Sequence, residues 1–482
     1  VLFLAGAALA VAQFVMVRDF VTVLYGEEVV IVLVTAAFFA GLSAGYALAL
    51  RLPRRAFEWL LVASLFLHLS FPFSYRYLAA WFAWLNLGGI AFLSLLFVYA
   101  LLFTAAFAAF LPRLIAAPER DGDAVARLRL SYGMELAGFL AGFFIVALGM
   151  NRPVSFLLVF YWGLLAVLLH AALGRWRLTA VFAGAALAVI AFLPQLDFHS
   201  SALVYEYKHH QPGARMLYSV NSPYQKVEVI ETARGERSLY LDGLQNLNSG
   251  DLQALNYYLA ELPARLVRPR HALIIGNGTL SSVPVLYPLA GALTTVELDA
   301  GVLAASRFFV DPHALEGLER WRLIVDDGKH FLRGSRDKYD LIVMDVPSPL
   351  ALQEAYLYTV EFYRLAAEYL TDDGVISVGI SGRLRHDDRT PARVTAALAQ
   401  VFPEVMIVRS NKSSGRDYAY ASRRLPFTGA EVRREGVAYD GRIAVIEPGE
   451  VAGYLTAARP LSVDTMDIVL KRGWERFTSR YF

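Results

Sequence analysis

The chain has 482 residues, enough for two or three domains by length, with 56% hydrophobic and only 18% charged residues, against roughly 25% charged in an ordinary soluble protein. So apolar a composition excludes a purely water-soluble globule, whose surface must still be covered, and a formal net charge of +2 makes nucleic acid a poor partner. The absence of cysteine excludes disulfides, thiolate nucleophiles and cysteine-ligated metal centres, and leaves the redox compartment open.

Almost all the apolar excess lies before Asp197. Seven spans are expected there: Val1–Tyr25, Val29–Leu50, Phe57–Phe73, Leu87–Leu111, Ser131–Met150, Val154–Leu173 and Leu178–Leu193. Most reach the about 20 apolar residues that a helix needs to cross hydrocarbon. Phe57–Phe73 is short and can continue through the aromatic stretch to Trp84. The first span lacks a basic start and is followed by others, so it reads as part of a bundle rather than a signal peptide. Tyr75, Tyr77, Trp81, Trp84, Trp162 and Trp176 fall near span ends, where amphipathic rings favour the membrane interface. Arg18, Glu27, Glu28 and Glu135 stand in or beside spans, where an ionisable group needs a partner or a cavity. An Arg18–Glu ion pair and a polar path for substrate are both open. His68 and His170 read as packed, hydrogen-bonded residues. His209-His210 read as interfacial, because no third ligand recurs at metal-binding spacing.

Beyond Asp197 the texture changes. Alternation in Lys226–Ile230 and Ser238–Leu241 predicts half-buried strands. Apolar, β-rich runs follow at Ala272–Ile275, Leu293–Val296, Leu323–Val325, Leu341–Met344 and Val375–Val378, separated by helical stretches such as Val360–Leu370 and Pro391–Val401. That alternation predicts a parallel sheet covered on both faces. The expected organisation is a transmembrane helical domain over 1–196, a small β region over 197–262, a Rossmann-like nucleoside-binding domain over 263–429, and a tail over 430–482 with no assigned place.

The first of the buried strands runs into Gly276-Asn277-Gly278, a turn that lets backbone approach a ligand. The second ends in Glu297, about 20 residues on, where a carboxylate can accept both ribose hydroxyls. The third ends in Asp326-Asp327-Gly328 and the fourth in Asp345. Each acid alone reads equally well as a helix cap or a solvated loop residue. Together they line the carboxyl edge of one sheet, where open α/β folds bind ligands.

With these motifs the chain resembles the spermidine synthase family, the polyamine aminopropyltransferases, from about Ser222 to Ser422. Ser222-Pro223-Tyr224-Gln225 is similar to the family's S-P-Y-Q strand, and Leu241-Asp242-Gly243 with Gln245 to its L-D-G-x-Q turn. Ile274-Ile275-Gly276-Asn277-Gly278, Val296-Glu297-Leu298-Asp299, Asp327-Gly328, Tyr339-Asp340-Leu341-Ile342 leading to Asp345, and Glu361-Phe362-Tyr363 follow in the family's order. The resemblance implies a Rossmann-like methyltransferase fold, decarboxylated S-adenosylmethionine as donor and methylthioadenosine as by-product. It implies that Glu297 holds the ribose, Asp327 the adenine amino group and Gln225 the sulfonium side, with Asp345 the base. Tyr224, Gln245, Gly276, Gly278 and Asp326 are carried over as further binding positions. A sulfonium is already an activated leaving group, so positioning and one base suffice.

Three departures bear on the substrate. Where the family places an acid for the donor's primary amine, this chain has Thr279. Where it places a second acid near the acceptor, this chain has Ser348. The family's D-E-x-x-Y-H-E is reduced to Asp251-Leu252-Gln253-Ala254-Leu255-Asn256-Tyr257, without the final Glu. Two ammonium groups cannot be desolvated unpaired, so putrescine is not the expected acceptor. Thr279 and nearby N–H groups could take a carboxylate, which would make the donor intact S-adenosylmethionine; Thr279 could equally cap the following helix.

The expectation is therefore a membrane-integral enzyme that breaks the carbon–sulfur bond of an adenosylated sulfonium, without metal or prosthetic group. Aminopropyl-type transfer to an acceptor, an acceptor-free lyase or cyclisation, and a nucleoside-binding transporter or sensor are the readings carried. Retention of Asp345 favours the enzymes. The partners expected are a small sulfonium nucleoside and membrane lipid, with homo-oligomerisation left open. Two rules conflict over sidedness. Arg51, Arg54, Arg55, Arg113, Arg120, Arg127, Arg129, Arg175 and Arg177 fall in alternate loops, which the positive-inside rule puts in the cytoplasm; seven spans then place the enzyme domain outside. Adenosylated sulfoniums are cytoplasmic, so a cytoplasmic domain is expected, with one span re-entrant or miscounted.

Overall fold

The computed structural model describes all residues except 25–27, 72, 116–123, 150, 151, 153, 413, 414 and 482. Glu27, Arg120, and the expected span ends at Tyr25 and Met150 lie outside the described residues. The chain divides into two compact units, Val1–Lys226 with Leu241–Leu244 and Arg476–Phe482, and Val227–Tyr240 with Gln245–Glu475. The boundary does not fall at 196/197, because the helical chain continues past the last apolar run.

The first unit holds helices α1 (Leu2–Leu24), α2 (Glu28–Leu48), α3 (Arg54–Ser70), α4 (Phe73–Trp84), α5 (Gly89–Ala108), α6 (Phe110–Ile115), α7 (Ala124–Gly149), α8 (Val154–Leu173), α9 (Trp176–Ala191) and α10 (Leu193–Leu203), then strand β1 (Arg215–Asn221). Five helices are long and apolar enough to cross a membrane; α3 with α4 and α9 with α10 reach that length only as pairs bent by 81° and 67°. Of seven expected spans, two are thus broken. At the second break Pro194 opens α10, and a proline, lacking its N–H, cannot continue the ladder of α9. Close helix contacts run through small residues. A Cβ on Gly138 or Gly142 of α7 would collide with the carbonyls of Phe3 and Ala7 in α1, and one on Gly41 or Gly45 of α2 with α5 or the residues just before its end.

Two of the side chains expected at the membrane interface are buried in the helical core. Tyr75 and Trp162 are fully buried, whereas Trp81, Trp84 and Trp176 are exposed. His68 is buried, its Nε2 2.7 Å from the Phe103 carbonyl and its Nδ1 on the Tyr161 hydroxyl. The Arg18 guanidinium donates to the carbonyls of Ser222 and Pro223. Glu135 is buried beside the Tyr46 hydroxyl at 3.4 Å. A buried charge network joins α1, α4 and α10: Arg76 bridges Asp19 and Asp197, and Asp197 accepts from Lys226 Nζ at 2.8 and 2.9 Å. Gly243 is so close to α1 that a Cβ would collide with the Thr22 carbonyl. The S-P-Y-Q and L-D-G turns are therefore both seated on the end of α1.

The strands β2 (Lys226–Glu231), β3 (Arg237–Leu241) and β4 (Leu244–Asn248) follow one another in a small sheet. The large sheet contains β5 (His271–Gly276), β6 (Ala292–Glu297), β7 (Trp321–Val325), β8 (Tyr339–Asp345), β9 (Leu370–Gly379), β10 (Glu404–Ser410), β11 (Asp417–Ser422) and β12 (Ile443–Ile446) in the order β12-β10-β11-β9-β8-β5-β6-β7. Strands β5 to β9 are parallel, but β11 is antiparallel to β9 and to β10, and β12 to β10. The sheet is mixed rather than parallel, because β10 and β11 form a hairpin that needs no crossover. The centre of β5 and β8, Leu273–Ile275 and Leu341–Met344, is almost fully buried, as strands covered on both faces must be. Residues 430–482, expected as an unplaced tail, contribute β12 and bury Val432, Ile446, Val451, Leu461, Ile468 and Val469 in the two cores of this sheet.

Candidate active site

Strand order reverses at β5, which lies between β6 and β8, the switch point beyond whose carboxyl ends open α/β sheets bind ligands. Gly276 pairs in register with Asp345. Its φ of +88° and the Asp345 carbonyl, with which a Cβ would collide, both demand glycine. Asn277 N–H donates to that carbonyl at 2.8 Å. Gly278 fits between Val302 and Glu297, where a Cβ would collide with Val302 and stand 3.1 Å from the Glu297 carboxyl carbon. The turn thus brings backbone against the ends of β6 and β8 together.

Glu297 Oε1 accepts from the Asp299 N–H at 2.9 Å. Burial, followed by the neighbouring carboxylates of Asp299 and Asp345, pushes the Glu297 carboxyl up to about 7 against the backbone hydrogen bonds that hold it down. Burial likewise pushes Asp345 up to about 6, opposed by the Arg416 guanidinium and a hydrogen bond from Ser282. Asp326 N–H donates to the Glu297 carbonyl at 3.1 Å, and its carboxylate holds His330 Nδ1 at 2.8 Å. Asp327 is exposed and caps the Gly328–Gly334 helix, Oδ1 accepting from His330 N–H at 2.9 Å. The cap engages one oxygen and leaves the other for a ligand.

Not every expected residue behaves as read. Thr279 is buried, with its hydroxyl on Asn277 Oδ1 (3.2 Å) and Ser281 Oγ (3.0 Å). It caps nothing: the next helix starts only at Val283 and is four residues long. Ser281 and Ser282 both donate to Asn256 Oδ1, at 3.2 and 3.0 Å. Ser282 also lies against Asp345, and its single proton serves one acceptor at a time. Gln245 is exposed on β4, bonded to Ser238 Oγ at 3.2 Å. Ser348 sits in the half-buried turn after β8, its carbonyl accepting from Leu350 N–H at 2.7 Å. Tyr224 and Gln225 belong to the first unit, the other candidates to the second.

The sequence reading missed Asn256, Ser282, Tyr358, Ser381 and Arg416. Tyr358 is buried and donates to the carbonyl of Val346, the residue after Asp345, at 3.1 Å, and Ser381 acts on its hydroxyl. Asn277 carries a buried Nδ2 without a hydrogen-bond partner among the described residues. No residue spacing announces Arg416, because the β10–β11 connection delivers it. Among the described residues no cluster of His, Asp and Glu could hold a metal ion.

The chain matches the spermine/spermidine synthase domain family over residues 254–413. It is 28% identical over 195 residues to a polyamine aminopropyltransferase of Thermoplasma volcanium, covering 40% of this chain and 71% of that one. It is 30% identical over 192 residues to a polyamine aminopropyltransferase of Moorella thermoacetica, covering 39% of this chain and 67% of that one. A spermidine synthase structure from Thermotoga maritima matches with 22% identity and a TM-score of 0.41, covering 50% of this chain and 84% of that one.

Proposed function

The chain belongs to the spermine/spermidine synthase family, and from that premise we propose that it transfers an aminopropyl-type group from decarboxylated S-adenosylmethionine to an amine other than putrescine, releasing methylthioadenosine. The observation that supports this reading is the register of Gly276 with Asp345, which sets the glycine turn beside a buried carboxyl. Glu297 would take the ribose hydroxyls and the second oxygen of Asp327 the adenine amino group. The amine nitrogen attacks the carbon next to sulfur, the carbon–sulfur electron pair returns to sulfur, and Asp345 receives the amine proton. A carboxyl at about 6 is mostly ionised at neutral pH and a better proton acceptor than an ordinary aspartate. Chromatography of methylthioadenosine with wild type and Asp345→Asn tests it: the amide keeps the shape but cannot take the proton.

The acceptor departs from a diamine because the acids that would hold it are gone. Tyr257 offers no substitute; its ring stacks on Tyr439 at 3.8 Å and its hydroxyl donates to the Glu435 carbonyl at 2.9 Å. A second reading, acceptor-free cleavage of intact S-adenosylmethionine, draws support from the Asn277 Nδ2, a buried donor without a partner among the described residues and suited to a carboxylate.

The helical unit is read as membrane-spanning and the sheet domain as cytoplasmic. The 16 residues of α9 extend about 24 Å, short of about 30 Å of hydrocarbon. With the α3–α4 pair crossing and the bent α9–α10 pair returning to its own side, the arginine-rich loops and the sheet domain share the cytoplasmic face.

A further inference from the structure

After β9 the chain turns through Ser381, with φ +61°, and lines an open cavity of about 380 Å³ whose walls include Arg383, Arg385, Arg389 and Arg472 against a single acid, Asp387. Asp387 is committed to Arg389, accepting from its N–H at 3.1 Å with the guanidinium 3.9 Å away. Arg472 has Glu475 at 3.3 Å. Among the described residues neither Arg383 nor Arg385 has a carboxylate within 4 Å. The cavity is thus a concave surface with unneutralised positive charge, which focuses an attractive field on anions and repels ammonium groups.

The wall of this cavity is linked to the base through neighbouring groups. Ser381 in its wall acts on the Tyr358 hydroxyl, which donates to the carbonyl of Val346, the residue after Asp345. Gly415, also in its wall, precedes Arg416, the cation that acts on Asp345. Strand β9 runs parallel to β8, so the segment after it emerges at the same sheet edge as Asp345, on the side of β8 away from β6.

We propose that this arginine-lined cavity holds an anionic group of the acceptor, so that the attacking nitrogen is a primary amine on a molecule that also carries a carboxylate or phosphate. The inference rests on the transferase reading above and names its acceptor class. The neutral amine forms the new carbon–nitrogen bond, the carbon–sulfur bond of the decarboxylated donor breaks with its electron pair on sulfur, and the proton passes to Asp345 and then to solvent. Arg383 and Arg385 hold the anion by charge-assisted, fork-shaped hydrogen bonds. The same charges exclude putrescine.

The test is calorimetric titration of O-phosphoethanolamine, 4-aminobutyrate and putrescine into full-length protein in detergent, saturated with methylthioadenosine. One of the two anionic amines should bind at least tenfold more tightly than putrescine. The exposed pair change Arg383→Ala/Arg385→Ala should weaken it at least tenfold while leaving methylthioadenosine affinity intact, and Arg383→Glu/Arg385→Glu should move the preference toward putrescine. Turnover on phosphatidylcholine vesicles with and without phosphatidylethanolamine separates a lipid headgroup from the free compound; dependence on the lipid amine supports the proposal equally. Tighter binding of putrescine than of both anionic amines, or arginine variants that change none of the affinities, overturns it. Failure of methylthioadenosine to bind wild type contradicts the transferase reading instead, and the amine titrations without nucleoside then still decide the cavity.

Discussion

Replacing Glu297 by Gln should stabilise the protein and cripple nucleoside binding, with opposite pH dependence to each side of the trade. The carboxyl stands at about 7 in the fold against an ordinary 4.5. A folded value above the unfolded one means that its contribution to stability is fully present below about pH 4.5 and is lost as pH rises through 7. At about 1.4 kcal/mol per pKa unit, wild type forfeits roughly 3 kcal/mol by about pH 8. The amide keeps an acceptor for the Asp299 N–H and never ionises, so the variant should gain about 1–3 kcal/mol at pH 8, at about 2–4 °C of Tm per kcal/mol, and nothing at pH 4. In the proposed reading methylthioadenosine needs the carboxylate, however, for charge-assisted hydrogen bonds of about 1.5–3 kcal/mol. Its affinity should fall tenfold to a hundredfold in the variant, and in wild type should rise between about pH 5 and 7 as binding expels the proton. Differential scanning and titration calorimetry at both pH values read this directly. A Tm gain that is the same at pH 4 and 8, or an unchanged affinity, would refute a buried, functionally strained carboxylate at the end of β6.

Asp327→Ala should weaken methylthioadenosine tenfold or more and also cost about 1 kcal/mol of stability through the lost cap, both visible in one calorimetric series; a stability loss alone would mean that Asp327 only caps. Asp197→Ala removes the carboxylate shared by Arg76 and Lys226, and with buried charge left uncompensated should cost about 3–5 kcal/mol, measured as a large drop in thermal unfolding temperature in detergent; a shift under a degree would mean the network is solvated. A cytoplasm-active reporter fused after Phe482 should be active, and activity only of an external reporter would place the sheet domain on the other side.

Strands β5, β6 and β8 were legible because a strand buried on both faces must be a continuous apolar run, and their terminal Gly276, Glu297 and Asp345 followed from position alone. Strands β10 to β12 were not read; β12 pairs with β10 across the intervening β11 and a helix, so that Ile443–Ile446 looks like part of a tail until it lies beside β10. The lost acid at Tyr257 was visible, but its replacement by a stacked aromatic depends on Tyr439 folding back from that supposed tail. Thr279 read as free to meet a ligand or cap a helix; only the positions of Asn277 and Ser281 show its hydroxyl already engaged. In the helical unit, the G-x-x-x-G spacings at Gly41/Gly45 and Gly138/Gly142 were an available sign of close helix contact. Aromatic position along a span, by contrast, could not separate buried Tyr75 from exposed Trp84, because rotation about the helix axis decides which side faces the bundle.

The most direct measurement is chromatographic detection of methylthioadenosine from full-length protein given decarboxylated S-adenosylmethionine, or S-adenosylmethionine itself, with or without an amine. The account predicts release from the decarboxylated donor that depends on an added amine, is scarcely accelerated by putrescine, and falls in Asp345→Asn by far more than nucleoside affinity does. Amine-independent release from intact S-adenosylmethionine would contradict transfer in favour of a lyase, and silence with every pairing while methylthioadenosine still binds would contradict catalysis at this site altogether.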